Sequence, residues 1–387
     1  MGPAATAAPL LLALAALAAC SDGGGGGTAA RPPKQLETRS GLAPASLPSP
    51  TPPTVRFPSA HRITVPPGFR AEVYARGLTH PTAMAYGPDG RLYVAEDVGR
   101  VVVAAPRTRA PRVFTSGFDV PLGLAWFRRT LFVSQRGGVE RVRLRAGRAV
   151  ARRSVLAGLP YGLHQQDNVV VGPDGRLYLG SGSSCNACVE RDRRSAAVLS
   201  LRRDGSGLRV VARGLRNPFG LAFQPETGRL YASVNGRDDL PTPASPEPAE
   251  TLVRVERGAH YGWPRCWASA RLRRLVGSCR GVTPPVAYLE AHSSADGLAF
   301  STGSTFPAAY RDGVFVALWG QYRSREHGRR VDFVRLRRDG TSPPDGVSAF
   351  ARGFAHPLAL VVDPDGALLV ADYGRGVIYR IQARGAR

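Results

Sequence analysis

Lysine is almost absent from this sequence of 387 residues. Lys34 is the only one, the other 51 basic residues are arginine, and Asp and Glu together number 29, which gives a formal net charge of +23. A basic chain is a candidate for nucleic-acid binding. Here, however, the arginines are spread along the whole chain and no recognition motif accompanies them. The sequence therefore argues against nucleic acid and favours anionic ligands or an anionic envelope surface.

Long apolar runs are missing after the first 20 residues, so no later segment is long and apolar enough to span a bilayer. No amphipathic helical stretch of useful length is present there either. A Cys-x-x-Cys-His haem attachment motif is also absent. These absences argue against a membrane-spanning helix after residue 20 and against a c-type cytochrome domain, and they favour a β-rich globular chain.

The N-terminus has the features of an export signal. An apolar run from Leu10 to Ala19 ends in Leu-Ala-Ala before Cys20 and resembles the lipobox of bacterial lipoproteins, although residues 1–9 contain no Lys or Arg. The resemblance predicts a signal peptide at residues 1–19, cleavage before Cys20 and a lipid on its sulfur, which anchors the protein to a membrane of the bacterial cell envelope. An ordinary secretory signal cut elsewhere is the alternative, and it also predicts export. Residues 20–55 are rich in Gly, Pro, Ala and Ser and predict a flexible linker.

Four further cysteines, Cys185, Cys188, Cys266 and Cys279, form an even set. In an exported chain they predict two local disulfides, Cys185–Cys188 and Cys266–Cys279. A four-cysteine zinc site is a weaker alternative, since only the first pair has the usual Cys-x-x-Cys spacing. A redox-active Cys-x-x-Cys pair is a further alternative, but it lacks a thioredoxin-like context.

A short motif recurs six times between residues 87 and 370. Each copy has a turn signal, in the best cases Gly-Pro-Asp-Gly, followed by an apolar strand such as Arg-Leu-Tyr-Val. The clear copies start at residues 87, 172, 225 and 363, and weaker ones lie at 128–133 and 310–316. Strand-and-turn repeats of about 40–50 residues are typical of propeller blades. We therefore predict an all-β fold, a six-bladed β-propeller at residues 56–387, with an insertion between the fourth and fifth copies.

A second motif precedes several of these copies: Gly-Leu-Thr-His-Pro at 77–81, Gly-Leu-Arg-Asn-Pro at 214–218 and Gly-Phe-Ala-His-Pro at 353–357. Each is followed by an apolar strand. In a propeller this arrangement brings polar residues of different blades together at one mouth of the central channel. The alternative is that His-Pro and Asn-Pro only shape a turn.

Three segments together resemble a known family. The first joins Gly-Leu-His-Gln-Gln-Asp-Asn at 162–168 to Gly-Ser-Gly-Ser-Ser-Cys-Asn-Ala-Cys at 180–188, and the second is Gly-Leu-Arg-Asn-Pro-Phe-Gly-Leu-Ala-Phe at 214–223. The third joins Asn-Gly-Arg-Asp-Asp at 235–239, Pro-Ala-Glu-Thr-Leu at 248–252 and Gly-Ala-His-Tyr-Gly-Trp-Pro at 258–264. In this order they are similar to the soluble pyrroloquinoline quinone (PQQ)-dependent glucose and sorbosone dehydrogenases. The resemblance covers roughly residues 67–381.

The resemblance implies roles for individual residues. His164 matches the catalytic base, and a neutral histidine is suited to removing a hydroxyl proton near pH 7. Arg216 and Asn217 match a pair that binds PQQ, with Gln165 and Arg323 as further cofactor-binding candidates. Arginine is suited to gripping a carboxylate of this tricarboxylate cofactor.

The same resemblance places a Ca²⁺ site at Gly236 and Arg237, through backbone carbonyl oxygens, with Asp238 as a further ligand. Asp239 and Glu250 offer hard oxygen ligands nearby. The alternative is a solvated acidic loop.

The predicted function is therefore that of an exported, lipid-anchored, PQQ- and Ca²⁺-dependent oxidoreductase. It oxidises an aldose or related polyol and passes electrons to an acceptor in the cell envelope. In the C-terminal third, where the resemblance implies more cations, the sequence has Ala-His-Pro at 355–357. Two alternatives remain open. One is a non-catalytic propeller that binds a glycan or protein, and the other is a Ca²⁺-dependent lactonase-like hydrolase built on Glu96, Asn217 and Asp372.

Overall fold

The computed structural model describes residues 60, 62–107, 109–239, 245–301, 306–321 and 327–385. The predicted signal peptide, the lipidation site at Cys20, the linker at 20–55 and the cofactor candidate Arg323 lie outside the described residues. Within the described ranges no helix has the length and apolar character to cross a membrane. The only helical segment there is a short 3-10 turn at Ala308–Tyr310.

Six four-stranded antiparallel sheets follow one another along the chain, which confirms the predicted six-bladed propeller. Blade 1 consists of β2 (Pro81–Tyr86), β3 (Leu92–Glu96), β4 (Arg100–Ala104) and β5 (Arg112–Ser116). Blade 2 consists of β6 (Gly123–Phe127), β7 (Thr130–Gln135), β8 (Gly138–Arg145) and β9 (Arg148–Leu156). Blade 3 consists of β10 (Gln166–Val171), β11 (Leu177–Ser181), β12 (Ala197–Leu201) and β13 (Arg209–Arg213).

The fourth and fifth blades repeat this pattern around the predicted insertion. Blade 4 consists of β14 (Asn217–Phe223), β15 (Leu230–Asn235), β16 (Thr251–Arg254) and β19 (Ala287–Tyr288). The insertion forms a separate hairpin of β17 (Cys266–Ser269) and β18 (Arg274–Gly277). Blade 5 consists of β20 (Ala295–Phe300), β21 (Gly313–Leu318), β22 (Arg330–Arg335) and β23 (Val347–Arg352).

Blade 6 joins the two ends of the propeller. Its inner strands are β24 (Pro357–Val362), β25 (Leu368–Asp372) and β26 (Val377–Ala383), and its outer strand is β1 (Phe69–Ala75) from the start of the domain. Strands β1 and β26 pair antiparallel, with Phe69 opposite Ala383. Because both ends of the domain share one sheet, the ring is closed by backbone hydrogen bonds.

The repeated turn motif has a physical basis that the structure makes visible. In blade 1 the Tyr93 hydroxyl donates a hydrogen bond of 2.9 Å to Asp89 Oδ2, and in blade 3 Tyr178 donates to Asp174 at 3.0 Å. Gly90 has φ = 74°, a conformation that glycine adopts without strain. In these two repeats the tyrosine thus ties the inner strand pair to its own turn.

Apolar side chains fill the spaces between neighbouring blades. Between blades 1 and 2 the ring of Tyr93 meets Phe114 and Trp126 at centroid distances of 4.9 and 4.8 Å. Between blades 5 and 6 Phe69 packs on Phe350 at 5.1 Å. Rings at such distances and angles add specific attraction to the burial of their area.

Both predicted disulfides are present. Cys185–Cys188 closes a loop of four residues between β11 and β12, and Cys266–Cys279 links β17 to the segment after β18. The four cysteines therefore pair locally, and the alternative of a four-cysteine zinc site is wrong.

Arg380 in β26 connects the two ends of the chain at the closing blade. Its side chain is almost fully buried, and its Nε donates to Asp363 Oδ2 at 2.7 Å. Other nitrogens of the same guanidinium lie 3.3 Å from Asp365 and 3.6 Å from Glu72 on β1. One buried guanidinium thus forms ion pairs with carboxylates from both ends of the domain.

We predict that Arg380→Met lowers the free energy of unfolding by about 3–5 kcal/mol, because it leaves buried carboxylates without their cation. Arg76→Met, a change at an exposed arginine, is the control and stays within about 0.5 kcal/mol of wild type. Denaturant unfolding followed by tryptophan fluorescence measures both. Equal midpoints for the two variants would show that Arg380 is not needed for closure.

Candidate active site

A cavity of about 540 Å³ opens at one end of the propeller channel. Every blade contributes a residue within two positions of the start of its innermost strand. These residues, in blade order, are Thr82, Leu122, His164, Asn217, Asp296 and Leu358. Of the polar residues in the repeated Gly-x-x-His/Asn-Pro motif, Asn217 lines this mouth, whereas His80 and His356 are not among the lining residues. The cavity size is typical of sites for small molecules.

His164 lies on the cavity wall in the loop before β10. Its Nδ1 is 2.9 Å from Ser183 Oγ, and that hydroxyl donates its one proton to the carbonyl oxygen of Cys185 at 2.7 Å. Ser183 Oγ must therefore accept from His164, so Nδ1 carries the hydrogen and Nε2 keeps its lone pair. Burial, with a smaller contribution from the charge of Arg216, lowers the pKa of His164 to about 3. The imidazole is thus neutral at pH 7, with Nε2 as its basic atom.

Arg216 is buried in the cavity wall, with 3% of its surface exposed. Its Nε donates to the carbonyl oxygen of Asn186 at 3.0 Å, and its Nη2 donates to Asn186 Oδ1 at 2.8 Å and Asp238 Oδ2 at 2.5 Å. Nη1 makes no hydrogen bond to any described residue. Burial lowers the pKa of this guanidinium, and Asp238 and Glu250 oppose the shift. The side chain is fixed on one side and offers a donor on the other.

Asn217, at the start of β14, has a buried side-chain oxygen that finds no hydrogen-bond partner among the described residues. It approaches Gly182 so closely that a Cβ there would lie 2.5 Å from Asn217 Oδ1 and would also collide with His164. Glycine at this position therefore lets the two side chains approach each other. A buried amide oxygen without a donor is costly, and the cost is relieved by a ligand that offers a donor or a cation.

Residues of the segment after β15 face alternately towards the cavity and away from it. Gly236 and Asp238 line the cavity, whereas Arg237 turns away, binds Asp239 Oδ1 at 2.9 Å and lies 5.6 Å above the ring of Trp267. Of the three residues predicted at the Ca²⁺ site, Arg237 can contribute only its backbone carbonyl oxygen to the cavity side. Asp238 is 71% exposed, and its carboxylate is held by Arg216.

Two further carboxyl groups lie deeper in the cavity. Glu250 accepts hydrogen bonds from the backbone N–H of Gly236 at 2.5 Å and of Ser294 at 3.3 Å, and burial raises its pKa to about 7. Burial also raises the pKa of Asp296, and the neighbouring carboxyls of Glu250 and Asp167 reinforce the effect. This wall therefore presents the hard oxygen atoms of two buried carboxyl groups, and the charge of Arg216 acts on that of Glu250.

The opposite wall is aromatic. The Trp319 ring stacks on His356 at a centroid distance of 3.9 Å, and the Tyr373 ring stacks on His80 at 4.5 Å. Trp319 and Tyr373 line the cavity, together with Asp97, which accepts a hydrogen bond of 2.6 Å from the Tyr373 hydroxyl. The two histidines of the repeated motif thus support the cavity wall from behind.

The structure brings together most of the residues predicted for the site. His164, Arg216, Asn217, Gly236 and Asp238 line one cavity. The amide nitrogen of Gln165 instead donates to the carbonyl oxygen of Val120 at 2.8 Å, so in this conformation its side chain fixes a loop.

Asp296, Asn235, Trp319 and Tyr373 also line the cavity, and sequence reasoning did not assign them to the site. For Asp296 a signal existed, because it follows the first residue of an innermost strand. Trp319 directly follows β21 and Tyr373 directly follows β25, and neither residue lies in a motif that predicts an aromatic wall.

Only Asn217 of the three residues proposed for a lactonase-like metal site lines the cavity. Glu96 accepts the backbone N–H of Thr79 at 2.6 Å, and Asp372 accepts those of Ala355 and His356 at 2.8 and 2.9 Å. Both carboxylates are fully buried and hold the segments that precede β2 and β24. They do not meet Asn217 around one metal position.

Several solved structures share this fold. A calcium structure of a Trichoderma reesei carbohydrate-active enzyme of family AA12 superposes with a TM-score of 0.73, 16% identity and coverage of 85% of this chain and 98% of that one. The holo form of the PQQ domain of pyranose dehydrogenase from Coprinopsis cinerea superposes with a TM-score of 0.71 and 18% identity, and the match covers 87% of this chain and 98% of that one. The PQQ-bound aldose sugar dehydrogenase from Streptomyces coelicolor superposes with a TM-score of 0.63 and 22% identity, and the match covers 82% of this chain and 99% of that one.

At these identities the likeness concerns the propeller fold. The sequence itself carries the family assignment, because the glucose / sorbosone dehydrogenase family model matches residues 128–327. This range includes the loop of His164, the Arg216–Asn217 pair and the segment from Asn235 to Asp239. The chain therefore belongs to the glucose/sorbosone dehydrogenase family of sugar oxidoreductases.

Proposed function

We propose that the protein oxidises a hydroxyl group of an aldose or related polyol with PQQ and Ca²⁺ held in this cavity. The observation that carries the proposal is the convergence of His164, Arg216, Asn217, Gly236 and Asp238 on one cavity of about 540 Å³. Support also comes from the two PQQ-containing structures and the calcium structure that share the fold.

The residues present fit the anionic cofactor and the cation together. Four acidic residues, Asp97, Asp238, Glu250 and Asp296, line the cavity, and Arg216 is the only arginine among its described lining residues. Such a wall suits a tricarboxylate only when a divalent cation is bound as well, since the cation balances the acidic groups. The free Nη1 of Arg216 suits a carboxylate or carbonyl oxygen, and the unpartnered Asn217 Oδ1 suits an N–H donor or the cation.

In this proposal the chain's own residues position the substrate and move its proton. When bound, PQQ with Ca²⁺ supplies an electrophilic quinone that accepts two electrons. Nε2 of His164 accepts the hydroxyl proton of the sugar, because its low pKa keeps it unprotonated and Ser183 keeps the other nitrogen protonated. The apolar faces of Phe219 and Trp319 limit the water around the reacting hydroxyl.

Export, a lipid anchor at Cys20 and an electron acceptor in the cell envelope also form part of the proposal. The Leu-Ala-Ala-Cys sequence at 17–20 and the two disulfides support export, since disulfides persist in oxidising compartments.

A titration of the full-length apo protein with PQQ in the presence of Ca²⁺, followed by the cofactor's absorbance, tests the binding step. We expect Arg216→Ala to weaken PQQ binding roughly 10- to 100-fold, because a charge-assisted hydrogen bond is lost. Arg193→Ala, at an exposed arginine outside the cavity, is the matched control and binds as wild type does. The absence of binding at micromolar PQQ in wild type would favour a non-catalytic glycan- or protein-binding propeller.

For the chemical step, His164→Gln should lower the turnover of sugar with a dye acceptor by about 10²- to 10⁴-fold, as for loss of a general base. PQQ affinity should change little, since the substitution keeps a polar side chain of similar size. A variant that reduces dye at the wild-type rate would remove His164 from the mechanism.

The protonation state of His164 is testable without cofactor. The folded pKa of about 3 lies below the unfolded value of about 6.5. Between these two pH values His164 binds a proton in the unfolded chain but not in the folded protein. The contribution of His164 to the free energy of unfolding therefore decreases as the pH falls from about 6.5 towards 3. Nitrogen NMR should show neutral His164 with hydrogen on Nδ1 from pH 8 to about pH 4. A protonated ring at pH 6 would contradict this assignment.

A further inference from the structure

The disulfide loop, residues 185–188, contacts both halves of the candidate active site. Its Asn186 accepts hydrogen bonds from Arg216 through the carbonyl oxygen at 3.0 Å and the side-chain oxygen at 2.8 Å. The carbonyl oxygen of Cys185 accepts the hydroxyl proton of Ser183, and this fixes the tautomer of His164. A loop of four residues thus holds the candidate base and the candidate cofactor-binding arginine.

Asn186 also organises the neighbouring wall. Its side-chain oxygen accepts the backbone N–H of Asp238 at 2.9 Å, and its carbonyl oxygen accepts the indole N–H of Trp263 at 3.1 Å. One residue therefore receives four hydrogen bonds from three residues that lie 30 to 77 positions further along the chain. An asparagine inside a disulfide ring has little conformational freedom, so these acceptors are held in place before any ligand arrives.

We propose that the disulfide loop positions the site, with Asn186 as the positioning residue for Arg216 and with Cys185 as the residue that sets the reactive nitrogen of His164. This inference rests on the proposed function for its consequence in catalysis. Its geometric part concerns the apo protein alone. The loop acts through other residues and touches neither cofactor nor substrate in the proposal.

The first arm of the test measures the apo protein by NMR. The Nε–H of Arg216 should give a resolved, slowly exchanging signal in wild type, because a buried carbonyl oxygen accepts it. In Cys185→Ser/Cys188→Ser that signal should exchange at least ten times faster. Val189→Ser, at an exposed position next to the loop, is the control and should keep the slow exchange. An unchanged Arg216 signal in the double variant would overturn the proposal, whatever the protein's activity.

The second arm measures PQQ affinity. Asn186→Ala removes the side-chain acceptor and should weaken PQQ binding about ten-fold, whereas Asn186→Asp keeps an acceptor oxygen and should restore most of the affinity. A purely structural role would lower the melting temperature without this pattern of rescue. Equal affinities for wild type and Asn186→Ala would contradict the positioning role. If wild type does not bind PQQ, the proposed function fails, and the NMR arm still decides the geometry.

A second, independent observation concerns charge at the end of the propeller remote from the cavity. Residues 128–156 contain nine arginines and one acidic residue, Glu140, which is paired with Arg152. Five of these arginines are exposed on strands β8 and β9 and form no ion pair with any described residue. We call them the blade 2 arginine face: Arg141, Arg143, Arg145, Arg148 and Arg153.

The arrangement of these arginines is unfavourable for the isolated protein. Arg141 lies directly opposite Arg153 across the strand pair, and Arg145 lies opposite Arg148. Like charges at such positions repel each other. Arg141 also borders a groove of about 680 Å³ that Arg176, Arg202 and Arg203 of blade 3 line from the other side. The acids of that groove are engaged locally, since Asp174 accepts from Tyr178 and Asp204 from Ser206.

Topology places this charge away from the cavity. Strand β10 begins beside His164 and ends at the turn of residues 172–176, which borders the groove. Strand β8 begins at Gly138, near the cavity end, because the backbone N–H of the adjacent Gly137 donates a hydrogen bond to the side chain of Gln166. It ends at the Arg145–Arg148 turn, which therefore lies at the far end. A strand of six to eight residues spans about 20–25 Å. A negatively charged partner that approaches from the side opposite the cavity would relieve this repulsion.

We infer that the blade 2 arginine face docks on anionic phospholipid headgroups and leaves the cavity mouth directed away from the membrane. A bilayer surface presents many phosphates in one plane, which matches exposed arginines spread over two strands and a groove. Each arginine near such a surface adds to binding, and salt weakens the effect.

Vesicle co-sedimentation tests this docking with the full-length chain carrying Cys20→Ala, so that no lipid is attached. Arg141→Gln/Arg143→Gln/Arg153→Gln should bind vesicles with 30% phosphatidylglycerol roughly 100-fold more weakly than the parent. Arg271→Gln/Arg274→Gln/Arg280→Gln removes the same charge from exposed positions in the blade 4 insertion and should retain most of the binding. Any contribution of the N-terminal segment is common to all these proteins.

Three results would overturn the docking proposal. They are equal losses in the two triple variants, equal binding to pure phosphatidylcholine, and binding of a DNA duplex with no binding of anionic vesicles. Displacement by millimolar inorganic phosphate, with chloride at the same ionic strength as control, would also overturn it, because the groove would then select a small anion.

Discussion

The pairing of β1 with β26 is the constraint on which the rest of the structure depends. It closes six blades into a ring, and the closed ring brings the starts of six innermost strands to one cavity. Backbone hydrogen bonds carry this closure, and the buried Arg380 joins carboxylates from both ends of the domain. Because no blade contains the site alone, the cavity forms only when the ring is closed.

Within that ring the site is a balance of charges. Arg216 is buried beside Asp238, while Glu250 and Asp296 have carboxyl groups whose pKa values burial raises. Together with the unpartnered oxygen of Asn217, this leaves a wall rich in oxygen atoms, in which Arg216 is the only arginine among the described lining residues. Such walls are costly in the folded state and are typical of sites that a cation or charged ligand completes. The local geometry is nevertheless fixed, because the disulfide loop holds Arg216 and, through Ser183, His164.

The sequence predicted the repeats, the blade number, both disulfides and part of the cavity lining, namely His164, Arg216, Asn217, Gly236 and Asp238. Repeats are readable because each blade needs the same turn chemistry, and His164, Arg216 and Asn217 lie in motifs that the family resemblance covers. The outward turn of Arg237 and the bond from Gln165 to Val120 were not readable. Each depends on contacts with a different blade or loop, and a linear pattern does not contain those contacts. Glu96 and Asp372 show that residue type alone can mislead. As carboxylates they suited a predicted metal site, but in the structure they accept hydrogen bonds from backbone N–H groups instead.

The most direct test of the proposed sugar oxidation is the reductive half-reaction in a single turnover. Protein loaded with PQQ and Ca²⁺ is mixed rapidly with an aldose in the absence of any electron acceptor, and the absorbance of the bound cofactor is recorded. We expect the bound cofactor to convert to its reduced spectrum, with one sugar oxidised per site. In His164→Gln we expect a large loss of rate with the cofactor still bound. A loaded protein whose cofactor spectrum stays unchanged with every aldose and polyol tried would contradict it.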